Sequence, residues 1–235
     1  MPGPRVSLFT TCLVDLLRPQ IGEATVRVLQ RAGATVDVPV GQSCCGQPAW
    51  NAGDRVAARH FVEQWLETFG RAAAVVSPSG SCVSMVRHQF PRAVEPPRRA
   101  MVEEVASRTY ELSEYLIDVL GVSDLGAERQ GRVAYHPACH GLRGLGVEEQ
   151  PLRLLDSVTG LEVRQLPPTC CGFGGFFSLR YPEVSVALAD RRKELLGDAD
   201  LLVSTDAGCL LHLRGRFEQQ GTDVQTLHLA EVLAG

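Results

Sequence analysis

The apolar positions of this chain fall into two rhythms, and the sequence of rhythms occurs twice. Short runs of strand length, VSLF (6–9), TVDVPV (35–40) and AAVVS (73–77), are interleaved with stretches at helical spacing, ATVRVLQRAG (24–33) and DRVAARHFVEQWLETFG (54–70). Asp54 stands where an N-cap would, and Gly33 and Gly70 close the two helical stretches. Beyond residue 126 the order returns. RVAYH (132–136), LEVRQL (161–166) and DLLVST (200–205) read as strands, and YPEVSVALADRRKELLG (181–197) reads as a helix. Strands alternating with helices of this length predict βαβ units and parallel sheets.

The repeat extends to individual residues. Cysteines occupy positions 12, 44, 45, 82, 139, 170, 171 and 209, and the second four follow the first four by 127, 126, 126 and 127 residues. VSLFTTC (6–12) aligns with VAYHPAC (133–139), and AVVSPSGSCVSMVR (74–87) with LLVSTDAGCLLHLR (201–214). LSEYL (112–116) resembles LAEVL (229–233) at an offset of only 117, which places an insertion in the first half around EPPRRAMVEEVAS (95–107). The expected architecture is therefore α/β, with two tandem duplicated lobes, 1–125 and 126–235. Each lobe is expected to be a small parallel sheet flanked by helices, the two related by a pseudo-two-fold axis. Every cysteine follows a predicted strand, and ligands of parallel sheets bind beyond the carboxyl ends of the strands. The four thiols of a lobe should converge there.

Composition narrows the use of those thiols. The net charge of −4 argues against a nucleic-acid binder, which would carry a basic face. The N-terminal stretch lacks the basic start and long apolar run of a signal peptide, and no stretch reaches the roughly 18 apolar residues of a membrane span. A cytoplasmic location is expected, where cysteines serve more often as metal ligands or catalysts than as disulfides. A bond between neighbouring cysteines would also strain the backbone. Zinc accepts four thiolates, but its sites favour short C-x₂₋₄-C hooks that this chain lacks. Adjacent cysteines on extended chain point to opposite sides. A multi-iron cluster presents separate irons to them, and four cysteines per lobe match its usual ligand count. Gly46 and Gly172 would let the backbone turn tightly beside such a group, and their amides, with those of Gly174 and Gly175, could donate to its sulfurs. No ferredoxin cysteine run, phosphate loop or dinucleotide fingerprint is present.

The twice-repeated Cys…Cys-Cys-Gly…Cys pattern has gaps between cysteine positions of 31 and 36 residues in the first half and 30 and 37 in the second. It resembles the cysteine-rich CCG-domain family of iron–sulfur redox subunits, over essentially the whole chain. A free-standing pair of such domains is most similar to the family's lactate-utilization members. The resemblance implies a redox subunit in a multi-protein system oxidising L-lactate to pyruvate. It implies one iron–sulfur cluster per lobe, with [4Fe-4S] the expected type, held by Cys12, Cys44, Cys45 and Cys82 and by Cys139, Cys170, Cys171 and Cys209. Zinc in one lobe is the alternative. The implied partners are a ferredoxin-type iron–sulfur protein and a second lactate-utilization subunit.

The family motif ends in Cys-x-x-Cys, and here the chain departs from it. CVSM (82–85) carries Met85 and CLLH (209–212) carries His212 at the last position. In heterodisulfide reductase the five-cysteine motif goes with noncubane clusters that cleave disulfides, so that chemistry is put in doubt. His212 is an additional candidate ligand, and Met85 is expected to pack. His136 and His140, which bracket Cys139, are candidates for proton handling or donation to cluster sulfurs. Arg143 is a candidate for holding a carboxylate or offsetting cluster charge. A zinc-stabilised interaction scaffold and a thiol–disulfide reductase subunit remain as rival readings.

Overall fold

The computed structural model describes residues 3–235. The first apolar run becomes strand β1 (Arg5–Leu8), flanked in parallel by β2 (Thr35–Asp37) and β3 (Val75–Ser77), with β4 (Thr109–Glu111) beyond β3. The second half repeats this with β5 (Glu128–His136), β6 (Thr159–Gln165), β7 (Leu201–Ser204) and β8 (Gln225–His228), in the order β6-β5-β7-β8, again all parallel. The expected α/β class and paired parallel sheets are thus what forms. Each sheet gains a fourth strand that the apolar pattern did not reveal, because it is only three or four residues long.

Both fourth strands end in a helix cap. Glu111 and His228 cap the helices Leu112–Glu114 and Leu229–Ala234, each closing a capping box with a glutamate three residues on, Glu114 or Glu231. The similarity of LSEYL to LAEVL is this shared device. Asp54 accepts a hydrogen bond from the Ala57 amide at 2.9 Å and so caps helix Arg55–Phe69, as its position suggested. TVDVPV pairs only through Asp37. β2 is an edge strand, and Pro39 lacks an amide to extend the ladder. The insertion is helix Pro96–Ser107, whereas in the second half the chain passes from helix Ala207–Gln219 to β8 by a short turn.

The largest apolar cluster among the described residues runs through both halves. Val6, Val28, Val76 and Leu116 from the first share it with Val133, Leu154, Val203 and Leu233 from the second. Helix Leu229–Ala234 packs on helix Pro19–Arg31, and its counterpart Leu112–Glu114 packs on helix Glu149–Asp156. Arg18, buried, donates from Nη2 to both carboxylate oxygens of Glu231 at 3.1 and 3.2 Å, and Arg31 donates to the carbonyls of Leu233 and Ala234. Ser79 and Asp206, which are equivalent residues of the repeat, pair with each other in an antiparallel bridge. Two equivalent residues meet in this way when the pseudo-two-fold axis passes between them. No helix among the described residues is long and apolar enough to cross a membrane.

Candidate metal centres

The same local geometry delivers the cysteines of both halves. Each lone cysteine after a first or third strand sits in the opening turn of a helical segment. Cys12 begins helix Cys12–Leu17, Cys82 lies in the first turn of Gly80–His88, and Cys209 in that of Ala207–Gln219. Cys139 caps a π-helical turn, His140–Leu145. Thr11, which aims Cys12, is buried and holds φ 72°, the only positive φ of a non-glycine among the described residues. Such strain in a β-branched residue persists only where its surroundings fix it.

The adjacent pairs follow the second strands and end in glycines that the geometry demands. Gly46 has φ 77°, and a Cβ there would lie 2.9 Å from Phe61 Cβ; Gly172 has φ 95°, and a Cβ would lie 2.3 Å from the Ser185 carbonyl oxygen. Their amides point at the first thiol of each pair, Gly46 N to Cys44 Sγ at 3.4 Å and Gly172 N to Cys170 Sγ at 3.3 Å. The Phe173 amide reaches Cys171 Sγ at 3.5 Å. Gly174 and Gly175, also at positive φ, line the cavity beside the second pair.

All eight cysteines open onto one cavity of about 440 Å³, bordered by both lobes. The sequence treats each lobe separately and does not anticipate a shared space. All eight are free thiols, so no disulfide forms among the described residues. Cys12 and Cys44 Sγ lie 3.5 Å apart, and Cys171 and Cys209 Sγ 2.9 Å apart. The first cysteine of each pair is the acidic one. Donation from Cys12 and then Cys45 holds Cys44 down to about 3, and donation from Cys139 and then Cys171 holds Cys170 down to about 2. The donors Cys12 and Cys139 are pushed up by those same bonds and by burial. Four soft donors per lobe, polarised by amides and gathered at a cavity wall, fit a thiolate-ligated metal group.

The remaining candidates separate. His140 lines the cavity, its Nδ1 3.8 Å from Cys139 Sγ. His136 is fully buried behind the thiols, with ligating atoms of His136, Cys171 and Cys209 all within 4.8 Å of one another. Burial, and then the charge of Arg192, push its imidazole down to about 3, so it is neutral. His212 sets Nε2 3.2 Å from Ser185 Oγ, with its ring tilted over Phe173. Arg143 is exposed and donates to the Pro168 carbonyl at 2.9 Å. Met85 packs in the apolar cluster with Trp65 and Phe90. The sequence reading overlooked Asp206 and Arg192. Asp206 lies at the lobe junction in the cavity wall, accepting from the Ser81 and Gly208 amides at 3.1 Å. Arg192 is fully buried and donates to the carbonyls of Pro167 and Thr169, just before the second pair. Its signal was its place on the inward stripe of helix Pro182–Glu194, in register with Ser185 and Ala189.

The family model of the CCG cysteine-rich domain matches this chain twice, over residues 6–87 and 133–214. Lactate utilization protein A of Geobacillus sp. (strain WCH70) is 43% identical over 97% of this chain and 98% of its own length. The protein of that name from Oceanobacillus iheyensis is 41% identical over 97% and 96%. Among solved structures, glutamate racemase RacE1 of Bacillus anthracis matches at 13% identity and a TM-score of 0.34, over 99% of this chain and 79% of that one. A likeness that slight has no bearing on function.

Proposed function

The chain belongs to the CCG cysteine-rich domain family, and from that premise we propose that it is an iron–sulfur redox subunit in a multi-protein system oxidising L-lactate to pyruvate. The relatives' name, lactate utilization protein A, supports the pathway. The observation that carries the redox role is the convergence of two equivalent sets of four free thiols on one cavity.

Cys12, Cys44, Cys45 and Cys82 would hold one group and Cys139, Cys170, Cys171 and Cys209 the other, with [4Fe-4S] the expected type. When bound, such a cluster supplies a one-electron centre. The chain's residues then act on the ligands. The amides of Gly46 and Gly172 stabilise the negative charge on Cys44 and Cys170. Burial of Cys45, Cys82, Cys171 and Cys209 keeps water from one side of each set. His140 stands in the cavity wall, where it can hold a proton at Nδ1 or Nε2. Exposed apolar side chains lie near the thiols: Leu16, Val38 and Val40 line an adjoining pocket that shares Cys12 and Cys44, and Phe176 and Leu179 follow Gly175 on helix Phe176–Arg180. This face would dock the partners, a ferredoxin-type iron–sulfur protein and a second lactate-utilization subunit.

A second reading places zinc in the second lobe. The convergence of His136, Cys171 and Cys209 favours it, since a His and Cys donor set suits zinc. Reconstitution with iron and sulfide without oxygen separates the readings. Cys44→Ala and Cys170→Ala are each expected to lose about half the bound iron. Iron content unchanged in Cys170→Ala, with zinc lost instead, would move the second lobe to the zinc reading.

A further inference from the structure

The two centres are built from the same cysteines on different walls. Offset by 127 residues, His136 takes the place of Phe9, and the inward stripe Ser185, Ala189, Arg192 takes the place of Ala58, Val62, Trp65. The first wall is aromatic. Phe9, Trp65, Phe69 and Phe90 pack against one another with ring centroids 4.9 to 6.0 Å apart, in the same buried cluster as Cys45 and Cys82. The second wall has a fully buried imidazole, neither of whose ring nitrogens has a hydrogen-bond partner. It also has a fully buried guanidinium that forms no ion pair among the described residues.

Neither feature suits an ordinary core. A buried cation without a carboxylate is costly, and so is a buried imidazole that makes no hydrogen bond. Both costs fall if the space between Cys139, Cys170, Cys171 and Cys209 holds a group with excess negative charge and sulfur acceptors. Arg192 then gains its counter-charge and His136 an acceptor for its ring N–H. In the first lobe the aromatic wall offers no charge and no imidazole, and its one unpartnered buried donor among the described residues is the neutral indole N–H of Trp65. Adding an electron to a thiolate-bound group adds negative charge, and nearby positive charge and N–H donors stabilise that state.

We propose that His136 and Arg192 make the second-lobe centre the more easily reduced of the two, with a higher reduction potential than the centre held by Cys12, Cys44, Cys45 and Cys82. This rests on the cluster reading above and concerns which lobe holds the electron once both are loaded.

The test is a redox titration of the anaerobically reconstituted full-length chain, followed by EPR. Two separate midpoints are expected. Arg192→Leu and His136→Phe should each lower the upper midpoint and leave the lower one in place. The expected change is at least a tenfold shift in the reduced-to-oxidised ratio at fixed poise, about 59 mV for one electron. Arg192→Lys, which keeps the charge, should restore most of the shift. If the second-lobe variants fold poorly, the reciprocal Phe9→His should raise the lower midpoint. A single midpoint in fully loaded protein, or an upper midpoint indifferent to both substitutions, would overturn this inference and leave the cluster reading intact. Failure of the wild-type chain to take up iron and sulfide would overturn both.

Discussion

Glu111 shows at the scale of one residue how the duplication has diverged. It occupies the position of His228, caps the same kind of helix, and is fully buried. One carboxylate oxygen accepts from the Ser113 amide and hydroxyl and the Glu114 amide, while the other has no partner. Burial therefore dominates and lifts its carboxyl to about 7, against the bonds from Ser113. The folded state then binds this proton more tightly than the unfolded state, whose reference value is 4.5. Its contribution is fully present below pH 4.5 and is lost as pH rises through 7. Glu111→Gln keeps the accepting oxygen without the titration. Its stability relative to the wild type should rise across that window, by roughly 3 kcal/mol. Urea denaturation of both proteins at the two ends of the window checks this, and a difference that does not change with pH would contradict it.

At the scale of elements, the lobes are joined by contacts repeated about the pseudo-two-fold axis and by asymmetric contacts from Arg18 and Arg31. Arg18 enters from the start of helix Pro19–Arg31 and meets Glu231, which also closes the capping box on His228. Removing Arg18 leaves the largely buried Glu231 carboxylate without its counter-charge, held among the described residues only by the His228 amide. Arg18→Ala is expected to cost about 3–5 kcal/mol, read from chemical denaturation, and a loss below 1 kcal/mol would mean that the ion pair is not holding the lobes. Most elements were legible because their apolar period is strong. β1, β3, β5 and β7, the helices Pro19–Arg31, Arg55–Phe69 and Pro182–Glu194, and the Asp54 cap follow from it, whereas helices Pro96–Ser107 and Ala207–Gln219 did not stand out. β4 and β8 were not legible either, since three or four residues carry too little period to stand out from the helices that follow. The tail of TVDVPV misled, because alternation continues past the residue where an edge strand loses its partner.

For the whole molecule, the duplication in sequence specified two equivalent thiol sets at matching sheet ends. Sequence alone did not show that both sets face one cavity, because that depends on how the lobes pack about Ser79 and Asp206. Nor did it distinguish Arg192 from the other arginines of RRKELL, since its role comes from burial on one helix face. Arg143, chosen for its nearness to Cys139 in sequence, spends its guanidinium on the Pro168 carbonyl at the surface. The account as a whole requires that the thiols hold iron and sulfide. The most direct measurement is iron, acid-labile sulfide and zinc per chain after anaerobic reconstitution, with an EPR spectrum of the reduced protein. About eight irons and eight sulfides per chain, with a paramagnetic signal on reduction, is the predicted result. Zinc without sulfide, persisting through reconstitution, would contradict it.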